Sequence, residues 1–149
     1  MMPPLDDNAA IRQAIIKEAK TWIGTPWRHE AEVKGAGVDC GKLVYCVYRD
    51  CGLVDPLDVP SYSRQWMLHK NDEEMLRWAG LIGLNAVPAP LPGDVAVWKV
   101  GRTYSHAGIV VDWPLVIHAD TVADCVIPAE ADNSKLSGRA VIFLSRFNR

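Results

Sequence analysis

The sequence predicts an α+β fold, with helices packed on one side of an antiparallel sheet. Two observations carry this. Residues 9–22 and 40–51 place apolar side chains at helical spacing. From Gly93 onward the chain changes to short apolar runs separated by turn residues. The helices come first and the strands follow as a block, which is the order of an α+β domain rather than of alternating βαβ units. The 149 residues suffice for a single domain, 1–149, with one core.

Taken in order, residues 1–7 read as a loose tail. Asn8 stands where it can cap a helix over about 9–22, in which Ala10, Ile11, Ala14, Ile15, Ala19 and Trp22 share a face. Gly24-Thr25-Pro26 breaks that helix, and a loop carries the chain from Trp27 to Gly37. The central helix follows. Asp39 is a favourable N-cap residue and Gly52 a favourable stop, and Cys40, Leu43, Val44, Val47, Tyr48 and Cys51 form one buried stripe. Residues 54–61 contain Pro56 and Pro60 and read as irregular, a second helical region covers about 62–79, and residues 80–92 read as a connector. Five strand candidates complete the chain, at 94–100, 104–111, 115–119, 122–127 and 139–147. Both faces of the first are largely apolar, as in a covered strand.

Composition narrows the function. A net charge of -2 gives no nucleic-acid footprint, and no apolar run approaches the roughly 20 residues of a membrane span. Met1 to Asp7 lacks the basic and apolar regions of a secretory leader, so synthesis as a cytoplasmic protein is expected. Cys40, Cys46, Cys51 and Cys125 include no Cys-x-x-Cys pair, so we expect free thiols, no metal and no cofactor.

Cys40 falls in the first turn of the central helix. Unpaired N–H groups and the helix dipole there favour an anion, so a thiol is expected to ionise more readily, and the same N–H groups suit an oxyanion. Cys40 is therefore either a core cysteine or a nucleophile. A nucleophile needs a base and an orienting group. His29 lies in a loop and His69 in a polar stretch. His106 and His118 lie in strand candidates, six residues on either side of position 112. If the Asp112-Trp113-Pro114 turn closes a hairpin, they face each other across the ladder. They are either two structural histidines or a base with its orienter.

Gly24-Thr25-Pro26-Trp27-Arg28, Val38-Asp39-Cys40-Gly41-Lys42-Leu43-Val44, Leu91-Pro92-Gly93-Asp94-Val95, Ser105-His106-Ala107-Gly108-Ile109 and Val116-Ile117-His118-Ala119 together resemble the NlpC/P60 cysteine peptidases, in the order that family shows. The short phage-associated members are the most similar. The resemblance implies a papain-like core with N-terminal helices on an antiparallel sheet of five or six strands, and an insertion at about 54–92. It implies Cys40 as nucleophile, His106 as base and His118 as the third polar group. Trp27, Asp39, Gly41 and Ser105 match positions that bind substrate. The implied substrate is a peptide of bacterial cell-wall peptidoglycan, typically cut after γ-D-glutamate, and the implied partners are phage tail proteins.

Three positions depart from the family pattern. Gly41 replaces a serine, Lys42 a small residue, and Trp27 a residue that is often tyrosine. Lys42, two residues past Cys40, is turned about 200° from it and should point away. Asp39 either caps the helix or binds a substrate amine, and its charge should raise the thiol pKa. The expected activity is a cysteine peptidase or amidase. The alternatives are a tail assembly module with weak turnover and an acyltransferase on another amide or lipid.

Overall fold

The computed structural model describes residues 8–54 and 74–147. The predicted tail, the irregular stretch after residue 54 and most of the 62–79 helix, with His69, lie outside them. Helix α1 (Ala9–Thr21) runs where its period places it, but the Asn8 side chain makes no capping bond. It buries Ile15, Ile16 and Ala19 together with a residue the apolar pattern passes over, Arg12. The loop that follows holds an unforeseen hairpin, β1 (Glu32–Val33) with β2 (Gly37–Val38). Helix α2 (Cys40–Asp50) is capped by Asp39, whose carboxylate accepts the Lys42 N–H at 2.9 Å. It stops at Gly52, whose φ of 73° suits a residue without a Cβ. Its buried surface is wider than one stripe, since Tyr45 and Cys46 are buried too. Leu43 and Val47 are wholly buried, each worth about 1.5–3 kcal/mol. Helix α3 (Glu74–Leu81) overlaps the end of the second predicted helix.

The strands are β3 (Asn85–Val87), β4 (Val95–Val100), β5 (Thr103–Asp112), β6 (Leu115–Asp120), β7 (Cys125–Glu130) and β8 (Val141–Ser145). They form one antiparallel sheet in the order β3-β8-β4-β5-β6-β7. β3 falls in the predicted connector. β7 begins later than the period suggests because residues 121–124 form a turn, with Asp124 at φ 61°.

Both faces of the sheet are covered. Val95, Val97, Ala107, Ile109, Ile117 and Ala119 pack with α1 and α2. Ala96, Trp98, Val110 and Val116 pack under Ala131 and Leu136, from the segment after β7. The alternation along β4, β5 and β6 decides which side chain goes to which face.

The start of β4 is the anchor between layers. Asp94 is fully buried and pairs with Arg12 at 2.7 Å. Arg12 also donates to the Pro92 carbonyl at 3.1 Å, and the Tyr48 hydroxyl donates to the Gly93 carbonyl at 2.6 Å. Gly93 has φ 90°, and a Cβ there would stand 3.1 Å from the Arg12 carbonyl. One partner of such a buried ion pair cannot be removed without a cost of about 3–5 kcal/mol. The Leu91-Pro92-Gly93-Asp94 motif thus ties α1 and α2 to the sheet.

Candidate active site

Cys40 is held from both sides in sequence. Ahead of it, β2 is pinned to the Pro26-Trp27-Arg28 segment, with Val38 N–H donating to the Pro26 carbonyl at 3.0 Å and Arg28 N–H to the Val38 carbonyl at 3.1 Å. That segment is in turn bonded to the start of β7 through Gly24, Thr25 and Trp27. Gly37 permits the close approach, since a Cβ there would meet the Arg28 Cγ at 2.8 Å. After Cys40, α2 carries it as its first residue. Its thiol donates to the Ser105 carbonyl at 3.7 Å, and the Ala107 N–H also reaches the sulfur. The sulfur therefore lies against the backbone on either side of His106.

The two histidines project from the other face. His106 pairs in register with Trp98, and their rings lie 5.7 Å apart. The sequence places His118 directly opposite His106, and the register differs. A shift near Val110 and Asp112 puts His118 opposite Gly108. The imidazoles nevertheless meet on the diagonal, His106 Nε2 to His118 Nδ1 at 2.7 Å, with the rings edge to face. Gly108 makes the diagonal possible. A Cβ there would lie 3.0 Å from the Ile117 carbonyl, 3.1 Å from His118 Cβ and 3.3 Å from Trp98 Cζ3. Trp98, whose ring is 6.4 Å from that of His118, walls the pair on its buried side. Neither Gly108 nor Trp98 was marked by the sequence as shaping the site. The period-2 alternation from Trp98, with the register, is the signal that places them.

Burial dominates the electrostatics. It pushes the Cys40 thiol up to about 12, with the Asp39 carboxylate adding to the rise against the Ala107 N–H and the helix N–H groups. This corrects the expectation of a readily ionised thiol, because desolvation outweighs the helix terminus. Burial pushes His106 down to about 3, reinforced by His118, and His118 down to about 4, opposed by Asp120. Near neutral pH the thiol and both imidazoles are uncharged. Asp120 lies on the same face as His118, bonded to Lys135 and to the Ala123 N–H at 3.1 Å. Its charge favours protonation of the pair, and that of Lys135 opposes it.

The remaining predicted site residues take different positions. Both carboxylate oxygens of Asp39 hold backbone N–H groups, of Lys42 and of Glu30 at 2.8 Å, which is a capping role. Ser105 is fully buried, and its hydroxyl donates to the Thr103 carbonyl at 3.3 Å. Trp27 is buried in the helix-side core. Gly41 is half-buried beside Cys40. Lys42 turns from the thiol as expected and pairs with Glu32 at 3.1 Å. His29 stays in its loop, 3.7 Å from Glu30.

No protein-family model matches this sequence, and no curated protein matches it. Solved structures do. The NlpC/p60 domain of the peptidoglycan hydrolase SagA matches with a TM-score of 0.59 and 21% identity, over 88% of this chain and 96% of that one. The fold is that of an NlpC/P60 domain. The peptidoglycan hydrolase RipB from Mycobacterium tuberculosis matches with a TM-score of 0.59 at 14% identity, over 99% of this chain and 70% of that one. A lipoprotein-like NLP/P60 protein from Staphylococcus aureus gives a TM-score of 0.64 at 17% identity, and the chain spans 44% of its length. The α+β NlpC/P60 architecture read from the motif order is thus the architecture found.

Proposed function

We propose that this chain is an NlpC/P60 cysteine peptidase that hydrolyses peptide bonds of bacterial cell-wall peptidoglycan. Cys40 is the nucleophile, His106 the base and His118 the orienter. One observation carries the reading: the sulfur of a first-turn cysteine lies against the backbone flanking His106, whose imidazole is bonded to a second imidazole at 2.7 Å. With its proton on Nε2, His106 donates to His118 Nδ1 and keeps Nδ1 as the acceptor. When substrate binds, His106 Nδ1 must reach the sulfur; the thiol proton then passes to that nitrogen as the sulfur attacks the substrate carbonyl carbon. N–H groups of the first turn of α2 receive the oxyanion. Collapse breaks the C–N bond, and the imidazolium protonates the leaving amine. Water then cleaves the thioester with His106 as base again. Because thiol and imidazole are both neutral at rest, the charge separates only as substrate reacts.

The resemblance to short phage-associated members supports delivery to the wall by a phage-type tail, and tail proteins as partners. The buried, neutral thiol favours a second reading, a tail assembly module with weak turnover. Release of peptides from purified peptidoglycan decides between them. The enzyme releases them, and Cys40→Ala and His106→Ala each lower kcat by at least about 1000-fold, the double variant no further. Equal release by wild type and Cys40→Ala would leave the assembly module standing.

A further inference from the structure

Beside Cys40 lies an apolar cavity that the proposed chemistry does not use. It sits between α2, α3 and the sheet, with a cavity volume of about 60 Å³. Gly41, the residue after the nucleophile, and Ala107, whose N–H reaches the sulfur, both line it. Met75 and Ala79 of α3 and Val97 and Leu144 of the sheet form other walls. Lys42 is the charged residue in the lining, and its ammonium is drawn off to Glu32, over the Tyr45 ring. Gly41 adds no bulk, and a Cβ there would come within 3.5 Å of Met75 Cε.

The chemistry of this lining is selective. A methylene entering it leaves water for apolar walls, worth about a threefold gain in binding. A carboxylate or ammonium entering it loses its water, and among the described lining residues the one charge, the Lys42 ammonium, is already paired with Glu32. We propose that the cavity is a subsite for an uncharged aliphatic group, up to the size of a leucine side chain, on the acyl residue whose carbonyl Cys40 attacks. This rests on Cys40 being the nucleophile. It assigns the enzyme to peptides with an apolar residue on the acyl side of the cut, and against a charged side chain there.

A series of p-nitrophenyl esters, from acetyl to hexanoyl plus succinyl, tests this. In the wild type kcat/KM rises about threefold per methylene up to a four- or five-carbon acyl group, and succinyl is no better than acetyl. Ala79→Trp fills the cavity and flattens the rise. Met75→Ala enlarges it and moves the optimum to longer acyl groups, which keeps the test open if the tryptophan variant fails to fold. A flat series in the wild type, succinyl hydrolysed as fast as butyryl, or a rise that survives Ala79→Trp with an unmoved optimum in Met75→Ala would overturn the subsite. If Cys40→Ala hydrolyses every ester as fast as wild type, the nucleophile assignment itself has failed.

Discussion

The two faces of the sheet are built differently, although both are buried. The helix face delivers one thiol and holds it redundantly. Asp39 caps α2, β2 is bonded to Pro26 and Arg28, and Tyr48 ties the same helix to the Gly93 carbonyl. The opposite face delivers two imidazoles and depends on the space left by one residue. Their diagonal contact exists because Gly108 leaves room for His118 against Trp98. The thiol is held by several bonds, whereas the imidazole pair depends on Gly108, five residues before the Trp113-Pro114 turn. The thiol touches the strand that carries His106 at the backbone of Ser105 and Ala107.

The largest effect expected from this contrast is at Gly108. Gly108→Ala sets a Cβ against a carbonyl, an imidazole stem and an indole, costing about 1–3 kcal/mol of stability. Because His118 must shift, peptidase activity should fall more than tenfold in protein that is still folded. Urea unfolding and kcat measured on the same sample separate the two. Unchanged kcat in Gly108→Ala would show that the diagonal contact is dispensable.

His118→Gln should act less strongly overall, since it removes the orienter without the stability cost of setting a Cβ at Gly108. Activity should fall roughly ten- to hundredfold, within the range of general acid–base contributions. The same variant sharpens the electrostatic side of the comparison. His118 titrates at about 4 in the folded protein, below its ordinary value of about 6.5. The unfolded chain therefore binds more protons between those values, and stability is lost as pH falls from about 6.5 to 4. Thermal unfolding of the wild type should show that loss, and His118→Gln should show less of it. An equal loss in both would place the acid sensitivity elsewhere.

Asp39→Asn gives the smallest change. The amide still accepts the Lys42 N–H, so α2 keeps its cap, while one of two carboxylate bonds is lost at about 1 kcal/mol. Removing the charge takes away the second cause of the raised thiol pKa. Alkylation of Cys40 at pH 9 should therefore quicken by severalfold. A slower reaction would mean that Asp39 positions the sulfur and does not oppose its ionisation.

What the sequence showed, and what it did not, follows the same division. The Cys40 helix was legible because cap, stripe and stop are local signals, and the strands of the second half were legible from period 2. The Arg12–Asp94 pair was not, since a charged residue on α1 gives no local sign of a partner 82 positions away. The β1–β2 hairpin is too short for periodicity. That His106 and His118 meet was foreseen, but through a direct pairing. The bulge near residue 111 and the absent side chain of Gly108 produce the contact instead. The thiol's ionisation was misread because helix termini are visible in sequence and desolvation is not.

The central claim is that the two faces contribute uncharged partners, a neutral thiol and a neutral imidazole pair, which separate charge only when substrate reacts. The pH dependence of Cys40 alkylation by iodoacetamide in the free protein, with the adduct located by mass, tests it most directly. The account predicts slow alkylation near pH 7 that rises only at high pH, with the same profile in His106→Ala. A fast plateau between pH 5 and 8 in the wild type, lost in His106→Ala, would mean a preformed thiolate–imidazolium pair and would contradict the account.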